Sequence, residues 1–274
     1  MELDLPTAHV PADLPSVLDD AWRAASKVPG FLLESEARFL GMAAACTPAQ
    51  GAIVEIGSFK GKSTVMLAKV SQHYGLGPIT AIDPHNFNNE ELHEYRTTTG
   101  SSSYDEFLRS IESAGVSHLV DVRRAYSFDI AKQWHLPIRF LWIDGDHSYT
   151  GAKSDFDGFL PFVVPGGTIA LHDALHEFEG PIRVFVDEML RSDRFGPAGF
   201  VGSIAWSQFR PSDGSRFRSQ RRLLEHRAAP LLPLLQDAPL RGTRKLVYKL
   251  RRSRVPRGPL SPNTWVALLN QAAS

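Results

Sequence analysis

The chain has 274 residues, 43% hydrophobic and 22% charged, which is enough for one large domain or a domain with appendages and too apolar for wholesale disorder. No stretch approaches the roughly 18 apolar residues of a membrane span, the start MELDLPTAHVPADLP lacks the basic and apolar regions of a signal peptide, and Cys46 as the only cysteine excludes an intrachain disulfide and a Cys-rich metal site; a cytoplasmic protein is expected. A net charge of zero argues against a nucleic-acid binder, but it conceals a split: residues 214–274 carry 13 Lys/Arg and two acids, against 17 and 28 in the rest.

Residues 13–28 and 34–46 read as helices. Leu14, Val17, Leu18 and Trp22 share one face of the first, and Phe39, Leu40, Ala44 and Ala45 mark the second. Residues 1–48 are therefore expected to form an N-terminal helical layer. From Ala52, short apolar strands alternate with helical stretches. The strands are 52–56, 78–83, 119–124, 139–144 and 168–173; the helices lie near 61–74, 103–114, 127–135 and 149–161. Runs such as RFLWI and TIALH are apolar on both faces, as in central strands of a parallel sheet covered by helices. The expectation is an α/β doubly wound, Rossmann-like domain over 49–210, mostly parallel. A helix at 180–192 and the alternating segment 200–209 close it, the latter as an antiparallel edge strand or hairpin. The polar segment 84–104 reads as a long loop, and loops of that length are usually lids or disordered. The basic extension, 211–274, holds a helix at 219–236 interrupted by Pro230 and Pro233, a basic run at 241–258, and a short helix at 263–271.

The most informative local motif is VEIGSFKGKST, 54–64, where a strand gives way to a helix. Glycines at such a turn let a ligand approach the main chain and the helix N-terminus. A P-loop for a nucleoside triphosphate needs four residues between its glycines; Gly57 and Gly61 leave three, although Lys62 and Ser63 are in place. The other class takes a nucleoside without a triphosphate, with an acid before the first glycine, Glu55, and a second acid at the end of the next strand, Asp83, for the ribose diol. The dinucleotide pattern G-x-G-x-x-G is missing, because Phe59 stands where its second glycine would be.

Two neighbouring strands then end in metal-capable side chains, WIDGDHSY (142–149) and LHD (171–173). Ligands in open α/β sheets bind beyond the carboxyl ends of strands, so Asp144 would meet His172 and Asp173 there. Carboxylate with imidazole suits Mg²⁺ or Mn²⁺ better than a closed zinc site. His147, in the turn after Asp144, offers a neutral imidazole to accept a proton. His85 reads equally as a substrate contact or an exposed loop residue; Tyr149 reads as a substrate contact or a helix cap.

EIGSFKGKST, AIDPH, FLWIDGDHSY, VPGGTIALHD and VGSIAW together resemble class I S-adenosylmethionine-dependent methyltransferases. More narrowly they resemble the metal-dependent sugar O-methyltransferases, such as macrocin and mycinamicin O-methyltransferases, whose domain cephalosporin-hydroxylase-type proteins share. The likeness spans roughly residues 35–209. It implies S-adenosyl-L-methionine as cofactor, with Glu55, Gly57, Ser58, Gly61 and Ser63 in the methionine-binding loop, Asp83 on the ribose, and Tyr126 and Ser127 near adenine. It implies metal ligation by Asp144, which also borders the cofactor, and by Asp173, with His147 as the general base. His172 departs from the pattern, since many relatives carry a carboxylate there; it stands as a ligand or as a group behind one.

The expected reaction is methyl transfer to a sugar hydroxyl of an oligosaccharide, polysaccharide or glycosylated natural product. The 29-residue step from Asp144 to Asp173 keeps a catechol or phenol acceptor open. A P-loop-like nucleotide binder and a non-catalytic binding module remain as alternatives. The acceptor is a small molecule or oligosaccharide rather than nucleic acid, and a homo-oligomer is open. The extension, outside the resemblance, is expected to fold over its own acidic body, with an acidic partner or peripheral contact with an anionic membrane as alternatives.

Overall fold

The computed structural model describes residues 7–86, 102–236 and 240–271. Its centre is a seven-stranded sheet in the order β3-β2-β1-β4-β5-β7-β6. β1 (Ala52–Ile56), β2 (Ile79–Ile82), β3 (Val120–Arg123), β4 (Ile138–Ile143) and β5 (Val163–Leu171) run parallel; β6 (Phe195–Val201) and β7 (Ile204–Phe209) form an antiparallel hairpin at one edge. All six residues of β4 are buried, as its apolar run requires of a strand with helices on both faces. β5 begins five residues earlier than its pattern suggests. Val163, Pro165 and two glycines form the entry, and the pairing with β4 slips between Ile138 and Phe140. The slip absorbs the backbone that Pro165 cannot pair and the bend that Gly166, at φ +85°, permits.

One face of the sheet is covered by α1 (Leu14–Ala25), α2 (Glu34–Cys46) and α3 (Lys62–Tyr74), with α4 (Ser103–Ser113) beyond. Gly41 lets α2 lie close on this layer: a Cβ there would fall 2.6 Å from Leu18 and 2.8 Å from Met66. The other face is covered by α6 (Tyr149–Phe159), α7 (Glu179–Val184) and a π-helical continuation, Phe185–Leu190. The short α5 (Ser127–Ala131) precedes β4.

The basic extension is built into both layers. α8 (Arg218–Ala228), α9 (Leu232–Leu235) and α10 (Gly242–Arg252) join the second layer through Leu224, Leu235 and Tyr248. α11 (Pro262–Leu269) joins the first, where Trp265 packs edge-on to Phe39 and Trp206 at ring separations of 5.3 and 4.5 Å. The fully buried Arg221 donates to the carbonyls of Leu190, Ser192, Phe195 and Gly214, fixing α8 to the hairpin. The extension also pairs directly with the body, Lys245 with Glu177 at 2.7 Å and, with the charges reversed, Glu225 with Arg191 at 2.6 Å. Residues 87–101, most of the polar segment read as a lid, lie outside the described residues. Among the described residues no helix is long and apolar enough to cross a membrane.

Candidate active site

The sheet changes direction of winding between β1 and β4, and the loops after these two strands touch. Gly57, at φ +86°, sits so close to β4 that a Cβ would lie 2.1 Å from the carbonyl oxygen of Asp144. This contact joins the glycine loop to the Asp144–His147 turn, and makes one crevice of the two motifs at the position where open α/β sheets bind ligands.

On the loop side, Glu55 is completely buried. Its carboxylate accepts from the hydroxyls of Ser63 and Thr64 on the first turn of α3. Burial pushes its pKa up to about 7, against those two hydrogen bonds and with help from the nearby charges of Asp144 and Asp83. Glu55 and Ser63 thus hold the loop from behind. Gly61 caps α3 in the left-handed region. Asp83, at the end of β2, accepts the N–H of Phe59 at 2.8 Å on one oxygen and that of His85 at 2.6 Å on the other. Each oxygen keeps a lone pair for a further donor. The Ser58 hydroxyl is buried with no partner among the described residues. An unpaired hydroxyl on the loop and a carboxylate with spare acceptor capacity fit a polar ligand such as a nucleoside with an amino-acid arm.

Lys62, which a phosphate-binding loop would aim at its ligand, instead donates to the carbonyl of Gly30 and lies over the ring of Trp22. Tyr126 is half exposed and stacked on Phe128 at 5.1 Å, and its hydroxyl accepts from Asn86. Ser127 donates to Asp155, whose carboxyl burial pushes up to about 6. Phe59, His85 and Asp173 take positive φ of 46°, 52° and 54° without being glycine. Such conformations cost of order 1–3 kcal/mol each, and all three stand just past the carboxyl ends of β1, β2 and β5.

On the β4–β5 side, three imidazoles meet three carboxylates. His147 Nε2 lies 3.4 Å from Asp144 and 3.7 Å from Asp173, and its ring packs 4.5 Å from that of Phe178. His172 is deeper. Its Nδ1 is 3.1 Å from Asp144 and 3.5 Å from Asp173, while its Nε2 faces Glu36 at 3.5 Å. His176 Nδ1 approaches Asp173 at 3.0 Å. Burial works against a charged His172, but Asp144, Glu36 and Asp173 outweigh it and hold its pKa well above the ordinary value. His147 is raised in the same way, burial being outweighed by Asp144 and Asp173. Asp144 is held down to about 2; burial opposes this, and the charges of His172 and His147 overcome it.

The predicted residues Asp144, His147, His172 and Asp173 therefore do converge. One ligand atom each from Asp144, His147 and Asp173 lie within 4.8 Å of one another, with Asp144 and His147 partly exposed and Asp173 buried. Two carboxylates and an imidazole, open on one side, fit an oxygen-preferring divalent cation. His172 stands behind Asp144 with both ring nitrogens turned to carboxylates. Two residues escape the sequence reading. Glu36 on α2 is buried and accepts from the N–H and hydroxyl of Ser203, both at 2.7 Å, as well as facing His172. His176 stands three residues after Asp173, as His147 does after Asp144; this doubled D-x-x-H spacing is a signal the sequence contains.

Residues 54–174 match the Methyltransf_24 family, described as a methyltransferase domain. Solved structures share its fold at low identity. The O-methyltransferase NovP aligns over 72% of this chain and 97% of its own, at 12% identity and a TM-score of 0.55. The O-methyltransferase TomG from Streptomyces achromogenes, involved in tomaymycin synthesis and solved with S-adenosylmethionine, aligns over 74% and 91%, at 16% identity and 0.50. Cofactor-bound Rv0187 from MTB aligns over 74% and 92%, at 18% and 0.50. At these identities the likeness is one of fold, and the mostly parallel, Rossmann-like sheet with its antiparallel edge agrees with the fold expected from the sequence.

Proposed function

We propose that this methyltransferase domain uses S-adenosyl-L-methionine to methylate a hydroxyl of a sugar, with Asp144 and Asp173 holding a Mg²⁺ or Mn²⁺ ion and His147 as the general base. The observation that carries the reading is the contact of Gly57 with the Asp144 carbonyl, which sets a nucleoside-type loop directly against a cluster of carboxylates and imidazoles. The sugar acceptor rests on the motif resemblance.

In this reading Asp83 takes the ribose hydroxyls, Ser58 pairs with the amino-acid arm, and Tyr126 and Ser127 border the adenine. S-adenosylmethionine supplies an electrophilic methyl group, and a divalent cation supplies Lewis acidity that makes a weakly acidic hydroxyl a better nucleophile. His147 Nε2 takes the hydroxyl proton, its ring steadied by Phe178. His172, gripped by Glu36, fixes the Asp144 carboxylate. Much of the rate comes from alignment of the acceptor oxygen with the methyl group.

The test is methyl transfer over a panel of sugars, glycolipids and catechols, with metal added back after EDTA. His147→Ala is expected to lower turnover by about 100-fold or more while S-adenosylmethionine affinity survives. Full activity in excess EDTA would refute the metal role. The 4.8 Å grouping favours a second reading, in which His147 completes the ligand set. Mn²⁺ affinity of His147→Ala, measured by electron paramagnetic resonance, separates the two: unchanged affinity supports the base, lost affinity the ligand.

A further inference from the structure

α10 is fastened by one side only. Tyr248 is fully buried and its hydroxyl donates to the carbonyl of His176; Lys245 pairs with Glu177. At about 100° per residue, the side opposite Tyr248 carries Leu246 and Leu250, one turn apart. They are 69% and 55% exposed, with Val247 beside them at 37%. Exposed Lys249 lies on one side of these leucines and exposed Arg254, just past the helix end, on the other; Lys245, paired with Glu177, and Arg251, which donates to the Pro230 carbonyl at 2.7 Å, lie further round. The arginine side opens on a cleft of about 270 Å³ lined by His226, Arg227, Pro230, Arg251 and Arg254, with no acid among them. Leu223, one turn before Arg227 on α8, is also 67% exposed.

We propose that this surface, the outer face of α10 with the cleft beside it, docks the protein on an anionic lipid bilayer. A helix lying in the membrane plane needs an apolar stripe facing the acyl boundary and basic residues along both edges reaching the phosphates; α10 has both, and the cleft offers a multivalent seat for a headgroup phosphate. The charge of the segment is complementary, with 13 Lys/Arg and two acids over residues 214–274. A nucleic-acid backbone would leave the leucines in water, and no aromatic ring stands on this face to stack on a base. A symmetric contact with a second copy would oppose two basic patches. Because Tyr248 and Lys245 tie α10 to the segment after Asp173, docking holds the candidate site near the bilayer surface. The proposal does not depend on which acceptor is methylated.

The test is flotation of the full-length chain with vesicles of phosphatidylcholine alone or mixed with phosphatidylglycerol, at low and high salt. Binding is expected only to the mixed vesicles, weakened at least about tenfold by high salt. The double variant Leu246→Ser, Leu250→Ser, and separately Lys249→Glu, Arg254→Glu, should each lower it by about tenfold with circular dichroism and S-adenosylmethionine binding unchanged. All four side chains are exposed, so the fold should tolerate these changes. Absence of binding to the mixed vesicles overturns the proposal. So does wild-type affinity in the leucine variant, tighter binding to single-stranded RNA than to vesicles, or a leucine variant that turns a dimer into a monomer by light scattering without affecting flotation.

Discussion

Glu36→Gln is the substitution with the most to say about the site. Glu36 lies on α2, buried, with one oxygen on the Ser203 N–H and hydroxyl and the other accepting the Leu33 N–H at 3.1 Å while facing His172. Burial alone would raise its pKa; the charge of His172 facing it, with the Ser203 donors, brings it down from 4.5 to about 2. At about 1.4 kcal/mol per unit, that depression corresponds to roughly 3 kcal/mol of stability at neutral pH. The sign follows from the direction: a depressed carboxyl contributes fully above about pH 4.5 and loses its contribution as pH falls towards 2. Glutamine keeps the shape and an acceptor for Ser203, but loses both the charge opposite His172 and the acceptor for the Leu33 N–H. Urea denaturation should therefore show the variant less stable by about 3 kcal/mol at pH 7, the gap narrowing steadily between pH 4.5 and 3. Turnover should fall too, since His172 would no longer be gripped from behind. A deficit under about 1 kcal/mol at pH 7, or one that stays constant down to pH 3, would refute the reasoning.

Two further substitutions probe the frame. Gly57→Ala places a methyl group 2.1 Å from the Asp144 carbonyl at φ +86°, so strain and overpacking together should cost about 3 kcal/mol or more, read as a lowered melting temperature with S-adenosylmethionine binding lost; a variant of normal stability would contradict the described junction of β1 and β4. Asp155 has its pKa raised by burial from 3.8 to about 6, so its ionisation destabilises the fold as pH rises from about 4 to 6. Asp155→Asn should stabilise the protein by up to about 3 kcal/mol at pH 7.5 and leave it unchanged near pH 4, which thermal melts at the two pH values would check.

The central sheet was legible because each strand carries its own signal. The doubly apolar run of β4 demands cover on both faces, and the start of β1 at Ala52 follows from AIVEI alone. The early start of β5 was not legible, because Pro165 and two glycines read as a turn until β4 is beside them. The helix predicted at 127–135 stops at Ala131, and the one at 180–192 passes into a π-helical stretch, since packing rather than periodicity sets those ends. In the site, Asp83, Asp144, His147, His172 and Asp173 announce themselves by standing at strand ends. Glu36 does not: its partners Ser203 and His172 are 167 and 136 residues away in the chain, and on α2 it reads as an ordinary acidic first turn. That the extension folds onto its own body was expected; that it divides between the two layers was not, because nothing local in KLVYKL or NTWVALL says that Tyr248 and Trp265 belong to different faces of the sheet.

The most direct test of the account is calorimetric titration of the full-length protein with S-adenosylmethionine and, separately, with ATP. Saturable binding of S-adenosylmethionine, lost in Asp83→Ala and absent for ATP, is the predicted result. Binding of ATP with none of S-adenosylmethionine would contradict the proposed function at its root.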